Sequence, residues 1–335
     1  MRNLIVFLVL IPCLTWSQTK APSAAFYTGT FLYKGKMGSY KVKRKSKQLE
    51  DVVSSISEEN GVWTVSANTS NAKIGIVEFT VPVNKGLRYF GGGEQFSHVE
   101  LTGKHVPFLV EENGIGRGDQ PATRTANLVG VGGHEWSTYC PIPLVLCTNN
   151  TAYLIENDCY SEIDLSVDGE ITFTVHDDEL KLRLFEANSP KELIQKITEY
   201  TGRMPELADW TYGTILGIQG GSEHVKQLVK DAQAYGNPVS AIWIQDWVGK
   251  KQTNIGSRLR WEWKPDEATY PNFKQFCAEM NAQDIKVMGY INPFLLEGTD
   301  MTNEALEKGY IVRRTDGTPY LTPFGGVQGL HHRPE

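Results

Sequence analysis

Val239-Ser-Ala-Ile-Trp-Ile244 is an apolar run of strand length with almost nothing polar to show to water. Such a strand needs cover on both faces, which parallel sheets provide and half-solvated antiparallel ones do not. It has neighbours of the same kind, over Tyr212–Ile218 before it and Ile285–Ile291 after it. Between these runs the period changes. Val225, Leu228, Val229 and Ala232 recur with helical spacing up to a stop at Gly236, and Phe273, Phe276, Cys277 and Met280 do the same. A third short helix is expected around 303–308. Strand, helix, strand, helix, strand, helix is the opening of a parallel α/β domain, here read as a barrel.

Upstream, over 24–188, short strands are separated by turn residues. Ile171, Phe173 and Val175 alternate with polar neighbours, as do Leu180, Leu182 and Leu184, which predicts an antiparallel β-sandwich. Ser189, Pro190 and Glu192 then supply a cap, a first-turn proline and a capping-box acid. They open a helix ending near Gly202, read as a linker over 189–204. The expected fold is therefore a β-sandwich followed by the first three βα units of a (β/α)8 TIM barrel, over 205–325. A complete barrel needs ~250 residues, about twice the length of chain beyond Pro205, and residues 326–335 show no strand or helix pattern. The expectation is the front half of a larger protein, ending in an aberrant tail.

Composition narrows the class. The chain has 335 residues, 40% hydrophobic and 21% charged, enough for a folded core, and its net charge of −6 disfavours a general nucleic-acid binder. The basic run Lys34–Lys47 reads as a strand with a solvated face. At the start, Met1-Arg2-Asn3, the apolar stretch Leu4–Leu14 and the small residues around Ser17 form the pattern of a secretory signal peptide over 1–17. That stretch is too short for a membrane span, which needs ~20 apolar residues, and no other stretch qualifies. Secretion would leave Cys140, Cys147, Cys159 and Cys277. Their pairing is open: Cys140 and Cys147 are near enough in sequence for a local bridge, whereas Cys277 reads as a buried free thiol. Asn68-Thr-Ser and Asn149-Asn-Thr are sequons. Gly114–Gly118 reads as a turn-rich lid loop. His331-His332, without further ligands, makes a poor metal site, and neither a Gly-x-Ser-x-Gly elbow nor a phosphate-binding Gly-Lys-Ser/Thr loop occurs.

In parallel barrels chemistry sits at the carboxyl ends of the strands. Here those ends read Gln219-Gly-Gly221, Gln245-Asp246-Trp247 and Asn292-Pro-Phe294, and a loop bearing Arg258, Arg260, Trp261 and Trp263 comes after the second. A guanidinium gives an oxyanion two parallel hydrogen bonds, while an indole and a carboxamide add one each. Gln245, Arg258 and Trp261 could thus surround a tetrahedral anion, provided Asp246 and Glu262 do not point inward. The competing reading pairs Arg258 with Glu262 and leaves Trp261 as core.

The stretches Asp209–Gly221, Trp243–Trp247 and Gly289–Phe294, with Tyr89-Phe-Gly-Gly-Gly-Glu-Gln-Phe-Ser97 upstream, resemble glycoside hydrolase family 31 over residues 25–325. Within it, Gln-Asp-Trp followed by Gly-x-Arg-x-x-Trp-x-Trp is most similar to the sulfoquinovosidase branch, which cleaves α-glycosides of a sulfonated glucose. The resemblance implies a retaining α-glycosidase with a galactose-mutarotase-like sandwich and no cofactor or metal. Its partner would be a small-molecule or oligosaccharide α-glycoside. It implies sulfonate binding by Gln245, Arg258 and Trp261, with Asp246 shaping the pocket. It also implies two catalytic aspartates on strands later than the third, so none of the acids present is assigned to catalysis. Two alternatives remain at this point: a neutral α-glucosidase of the same family, and a non-catalytic carbohydrate-binding protein.

Overall fold

The computed structural model describes residues 21–36, 39–50, 52–68, 73–111, 113–118, 120–128, 132–253, 256–314, 316–324 and 327–331. The expected signal peptide, Thr69 and Ser70 of the first sequon, and His332 lie outside them. The chain divides into two compact units, Met1–Arg203 and Met204–Glu335.

Among the described residues the first unit has twelve strands: β1 (Ser23–Lys36), β2 (Ser39–Gln48), β3 (Val53–Glu59), β4 (Val62–Asn68), β5 (Ile76–Pro82), β6 (Tyr89–Gly93), β7 (His105–Phe108), β8 (Pro141–Cys147), β9 (Thr151–Ile155), β10 (Ser161–Asp164), β11 (Glu170–Val175) and β12 (Leu180–Glu186). They form two antiparallel six-stranded sheets, ordered β2-β1-β5-β11-β10-β7 and β3-β4-β12-β9-β8-β6. The alternation read from the sequence sets which side chains face inward: Ile171, Phe173, Val175, Leu180 and Leu182 are fully buried in one shared core. Trp63 of the second sheet meets Phe79 of the first edge-on at 5.7 Å, and Tyr153 meets Phe173 at 5.4 Å. The described part of the basic run is strand, as expected, with β1 and β2 paired antiparallel.

Three expectations need correction here. Cys140 and Cys147 are both free, because β8 runs extended between them. At ~3.3 Å per residue the strand holds them roughly 20 Å apart, far beyond the ~7 Å a disulfide spans. Cys147 is buried, which pushes its thiol up to about 11. Second, the helix α2 (Pro190–Thr201) is capped by Ser189, whose hydroxyl accepts from Glu192 N, but it is a packed element of the first unit rather than a linker. Its apolar stripe, Leu193 and Ile197, buries against Ala152 and Phe185. Third, the 113–118 loop is pinned rather than free. Arg117 donates to His134 O at 3.0 Å and to Asn113 Oδ1 at 2.9 Å, and lies 4.6 Å over the Phe96 ring. A short helix, α1 (Pro121–Leu128), comes next. The Gly91–Gly93 stretch makes a bulge against β8, where a Cβ on Gly93 would come within 2.3 Å of Cys140 O. No other residue fits there.

In the second unit β13 (Thr214–Ile218), β14 (Val239–Ile244) and β17 (Lys286–Gly289) form a parallel sheet in that order. The helices α3 (Ser222–Ala234) and α4 (Phe273–Asn281) cover one face, burying Val225, Val229, Phe276 and Met280 against Ile218, Ile242, Ile244 and Ile285. The other face is less covered than the apolar run predicts, since Trp243 is 37% exposed. A hairpin of β15 (Lys250–Thr253) and β16 (Gly256–Leu259) leaves the end of β14. The helix α5 (Asp300–Glu307), capped by Thr299, begins three residues earlier than expected. Val327–Leu330, read as patternless, belongs to a strand. It is part of β20 (Val327–His331), which pairs with both β18 (Phe294–Leu296) and β19 (Leu321–Phe324). Partners on both sides satisfy its backbone without any side-chain alternation. Cys277 is a half-buried free thiol on α4. Among the described residues no helix is long and apolar enough to cross a membrane.

In the first unit the Glu162 carboxylate is mostly buried between β7 and β10. Burial is the largest influence and pushes it up, yet hydrogen bonds from His105 (3.1 Å) and the Tyr160 hydroxyl (2.7 Å) bring it net below its ordinary value. A folded-state value below the unfolded one stabilises at higher pH, and that contribution disappears as pH falls through the folded value. Glu162→Gln is expected to flatten the loss of stability below pH 4.5, the ordinary glutamate value, as read from thermal midpoints across an acid series.

Candidate functional site

The three parallel strands end side by side, so the residues just past them meet at one edge of the sheet. Gln219, after β13, donates its amide N–H to Oε1 of Gln245, after β14. Trp247 donates its indole N–H to Tyr290 O, after β17, at 2.8 Å. Asn292 reaches the Tyr290 hydroxyl at 3.2 Å and accepts from Phe294 N at 2.9 Å. The strand ends are thus cross-tied in sequence order. Gln219 belongs to this layer but was not among the expected binding residues; its strand-end position was the available signal.

Asp246 is the deepest member, 1% exposed. Its Oδ2 accepts from Gly220 N at 3.0 Å and faces Lys250 Nζ at 3.1 Å, while Oδ1 accepts from the Tyr270 hydroxyl at 2.5 Å. A buried carboxylate is tolerated only with such partners. Both oxygens are engaged by protein, so Asp246 ties together the loops around the strand ends. Tyr270 is itself fully buried. Burial first, and the adjoining Asp246 carboxylate second, push its phenol well up, so it remains a proton donor. Nothing in the local sequence marks Tyr270 or Lys250; only the fold brings them to Asp246.

The β15–β16 hairpin returns the chain to the same strand end. Arg260 N donates to Gly249 O at 3.0 Å, fixing the hairpin base. Arg258 lies half-buried near the end of β16. Arg260 pairs with Glu262, an acid that the competing reading gave to Arg258. Trp261 is 6% exposed and packs with Leu296 and, at 5.1 Å between rings, Phe294. Its backbone O accepts from Leu296 N at 3.0 Å. Arg258 thus sits on the hairpin and Trp261 just past it, largely embedded. Among the described residues, no group of three or more His, Cys, Asp or Glu side chains is arranged to hold a metal ion.

This parallel sheet, with its polar layer at the carboxyl edge, has a match among known families: residues 204–330 fit the TIM-barrel domain of glycosyl hydrolases family 31. The chain carries a glycoside hydrolase family 31 barrel domain. Over 243 residues it is 34% identical to the sulfoquinovosidase of Escherichia coli (strain K12), covering 72% of this chain and 36% of that protein. Its identity to the sulfoquinovosidase of Agrobacterium fabrum is 33% over 244 residues, 70% of this chain and again 36% of the relative. A family 31 sulfoquinovosidase from E. rectale, solved with the aza-sugar inhibitor IFGSQ, superposes with a TM-score of 0.83 at 28% identity. That match covers 93% of this chain and 50% of the other. A family 31 dextranase from Flavobacterium johnsoniae, complexed with isomaltotriose, superposes at 0.61 with 15% identity and shows the fold alone. The chain thus spans about a third of the curated family 31 sulfoquinovosidases and half of the solved one.

The network around Asp246 gives a direct test. Tyr270→Phe removes one hydrogen bond to a buried carboxylate and is expected to cost about 1.5–3 kcal/mol, read as a lower denaturant midpoint for the transition of the second unit.

Proposed function

We propose that this chain is the sugar-gripping part of a retaining α-glycosidase whose preferred substrate is an α-glycoside of a 6-sulfonated glucose. Gln245, Arg258 and Trp261 are assigned to the sulfonate. Arg258 supplies the charge and the paired donors, Gln245 a carboxamide N–H, and Trp261 an indole N–H at the pocket wall. Asp246 positions them. One observation carries the reading: the β15–β16 hairpin bearing Arg258 follows directly after the Gln245 strand end, and both acids of that segment are paired, Asp246 with Lys250 and Glu262 with Arg260. An anion approaching Gln245 would then meet surplus positive charge. The relatives named as sulfoquinovosidases support the same choice.

In this reading the two-sheet unit is a galactose-mutarotase-like β-sandwich, and the three βα units are the first of eight. The nucleophile and the acid/base are aspartates on later strands, with carboxyl groups ~5–5.5 Å apart for retention. Two carboxylates and water complete the chemistry, so no cofactor enters. The basic, apolar and small-residue start supports export of the protein.

The neutral α-glucosidase reading is favoured by one observation, the burial of Trp261 in a small apolar cluster with Leu296, as a purely structural tryptophan would be. Kinetics separate the two. In the protein expressed from its native gene, Arg258→Ala is expected to lower kcat/KM for a 6-sulfonated α-glucoside, relative to the plain α-glucoside, by roughly 10- to 100-fold. That range corresponds to one charge-assisted contact. An unchanged ratio would leave Arg258 a packing residue and favour the neutral sugar, and a protein that binds sugar but hydrolyses neither would support a binding role alone.

A further inference from the structure

The strands β8 and β9 are joined by the short turn Thr148-Asn149-Asn150, and Thr151 opens β9. Asn150 N donates to Cys147 O at 3.1 Å, with Asn150 in the left-handed region at φ 63°, a conformation that asparagine tolerates. Both sides of the turn are fastened to the sheet. Thr148 N donates to Arg88 O and Arg88 N to the Thr148 hydroxyl, each at 3.1 Å, and Ala187 N donates to Asn150 O at 3.1 Å. Asn149, between these anchors, is exposed. Its Oδ1 accepts from the Thr151 hydroxyl at 2.8 Å. The side chain is thus held by its carbonyl end, which leaves Nδ2 at the other end of the amide.

Asn149-Asn-Thr151 has the spacing of an acceptor for N-linked sugars. A glycan is bulky and needs a surface position, and the fold supplies one. The left-handed turn explains the asparagine at 150 but requires neither a carboxamide at 149 nor a hydroxyl at 151. We infer that Asn149 is a site of N-linked glycosylation. The donor is an oligosaccharide carried on a lipid diphosphate. Asn149 Nδ2 bonds to the anomeric carbon of the first sugar as that carbon's bond to the diphosphate oxygen breaks. The diphosphate leaves with the electron pair, and Nδ2 gives up one proton to a base of the transferring enzyme. Modification at Nδ2 keeps the Oδ1–Thr151 hydrogen bond, and a sugar on this exposed tip displaces no packed side chain. The inference goes beyond the glycosidase reading. It rests on the proposed export, because the donor faces the secretory lumen. The other sequon, Asn68-Thr-Ser70, runs outside the described residues and is no part of it.

The full chain, expressed from its native gene in a eukaryotic secretory host, tests this directly. Protein recovered from the medium is treated with peptide N-glycosidase in heavy-oxygen water, and its peptides are weighed. The peptide spanning Asn149 is expected to gain a labelled aspartate at that position, with a gain in gel mobility after treatment. Asn149→Gln should lose one step of that mobility shift. Thr151→Ala should lose the same step, whereas Thr151→Ser should keep it. The decisive reading is made on the parent chain, so a variant that fails to fold leaves the answer standing. Exported protein with an unlabelled Asn149 overturns the inference alone, as does a label that persists in Thr151→Ala. A chain found only in the cytosol, its leader uncleaved, overturns the inference and the proposed export together.

Discussion

The arrangement of the second unit depends on one buried charge. The Asp246 carboxylate takes a hydrogen bond from the loop after β13, another from Tyr270 ahead of α4, and an ion pair from the first residue of the β15–β16 hairpin. These are the three pieces of chain that must hold still if Gln219, Gln245 and Arg258 are to present fixed donors. Leaving such a carboxylate without partners inside protein would cost several kcal/mol, so its partners are held in place as firmly as it is. Close packing adds to this. A Cβ on Gly221 would come within 2.9 Å of Thr269 O, so the loop after β13 lies directly against the segment that delivers Tyr270.

The same network decides the electrostatics of the strand ends. Acids close to a proposed anion site ought to repel the ligand. Here each is matched by a cation a few residues away, Asp246 by Lys250 and Glu262 by Arg260. Pairing of this sort contributes little to stability when exposed, but it sets the sign of the local field, which is what an anionic ligand senses. The aromatic residues have a different part. Trp247 and Trp263 each spend the indole N–H on a backbone carbonyl, of Tyr290 and Phe294 respectively. They fasten the ends of the chain around β17 and β18 and leave the polar side chains of the strand ends for other partners.

Much of this could be read from the residues. The two-residue alternation around Phe173 and Leu182 fixed the inward faces of the two sheets, the Ser189-Pro190-Glu192 cap opened α2 where expected, and the apolar runs located β13, β14 and β17. The misreadings share a cause. Cys140 and Cys147 are close in sequence, but the extended β8 keeps them apart. Arg258 and Glu262 have helical spacing, but the segment is a hairpin and a loop, where Arg260 pairs with Glu262. Val327–Leu330 has no alternation, yet β18 and β19 recruit it through backbone hydrogen bonds. In each case tertiary context overrode a local inference.

The sequence by itself determined the kinds of strand, the order of elements and the polar residue types at the strand ends, because hydrophobic period and turn chemistry are local properties. It could not show that Asp246 ties the strand-end loops together, that Tyr270 and Lys250 meet it there, or that Gln219 reaches Gln245. Those pairings join residues up to 26 positions apart through strand register and helix packing. Only the folded chain brings them within bonding distance.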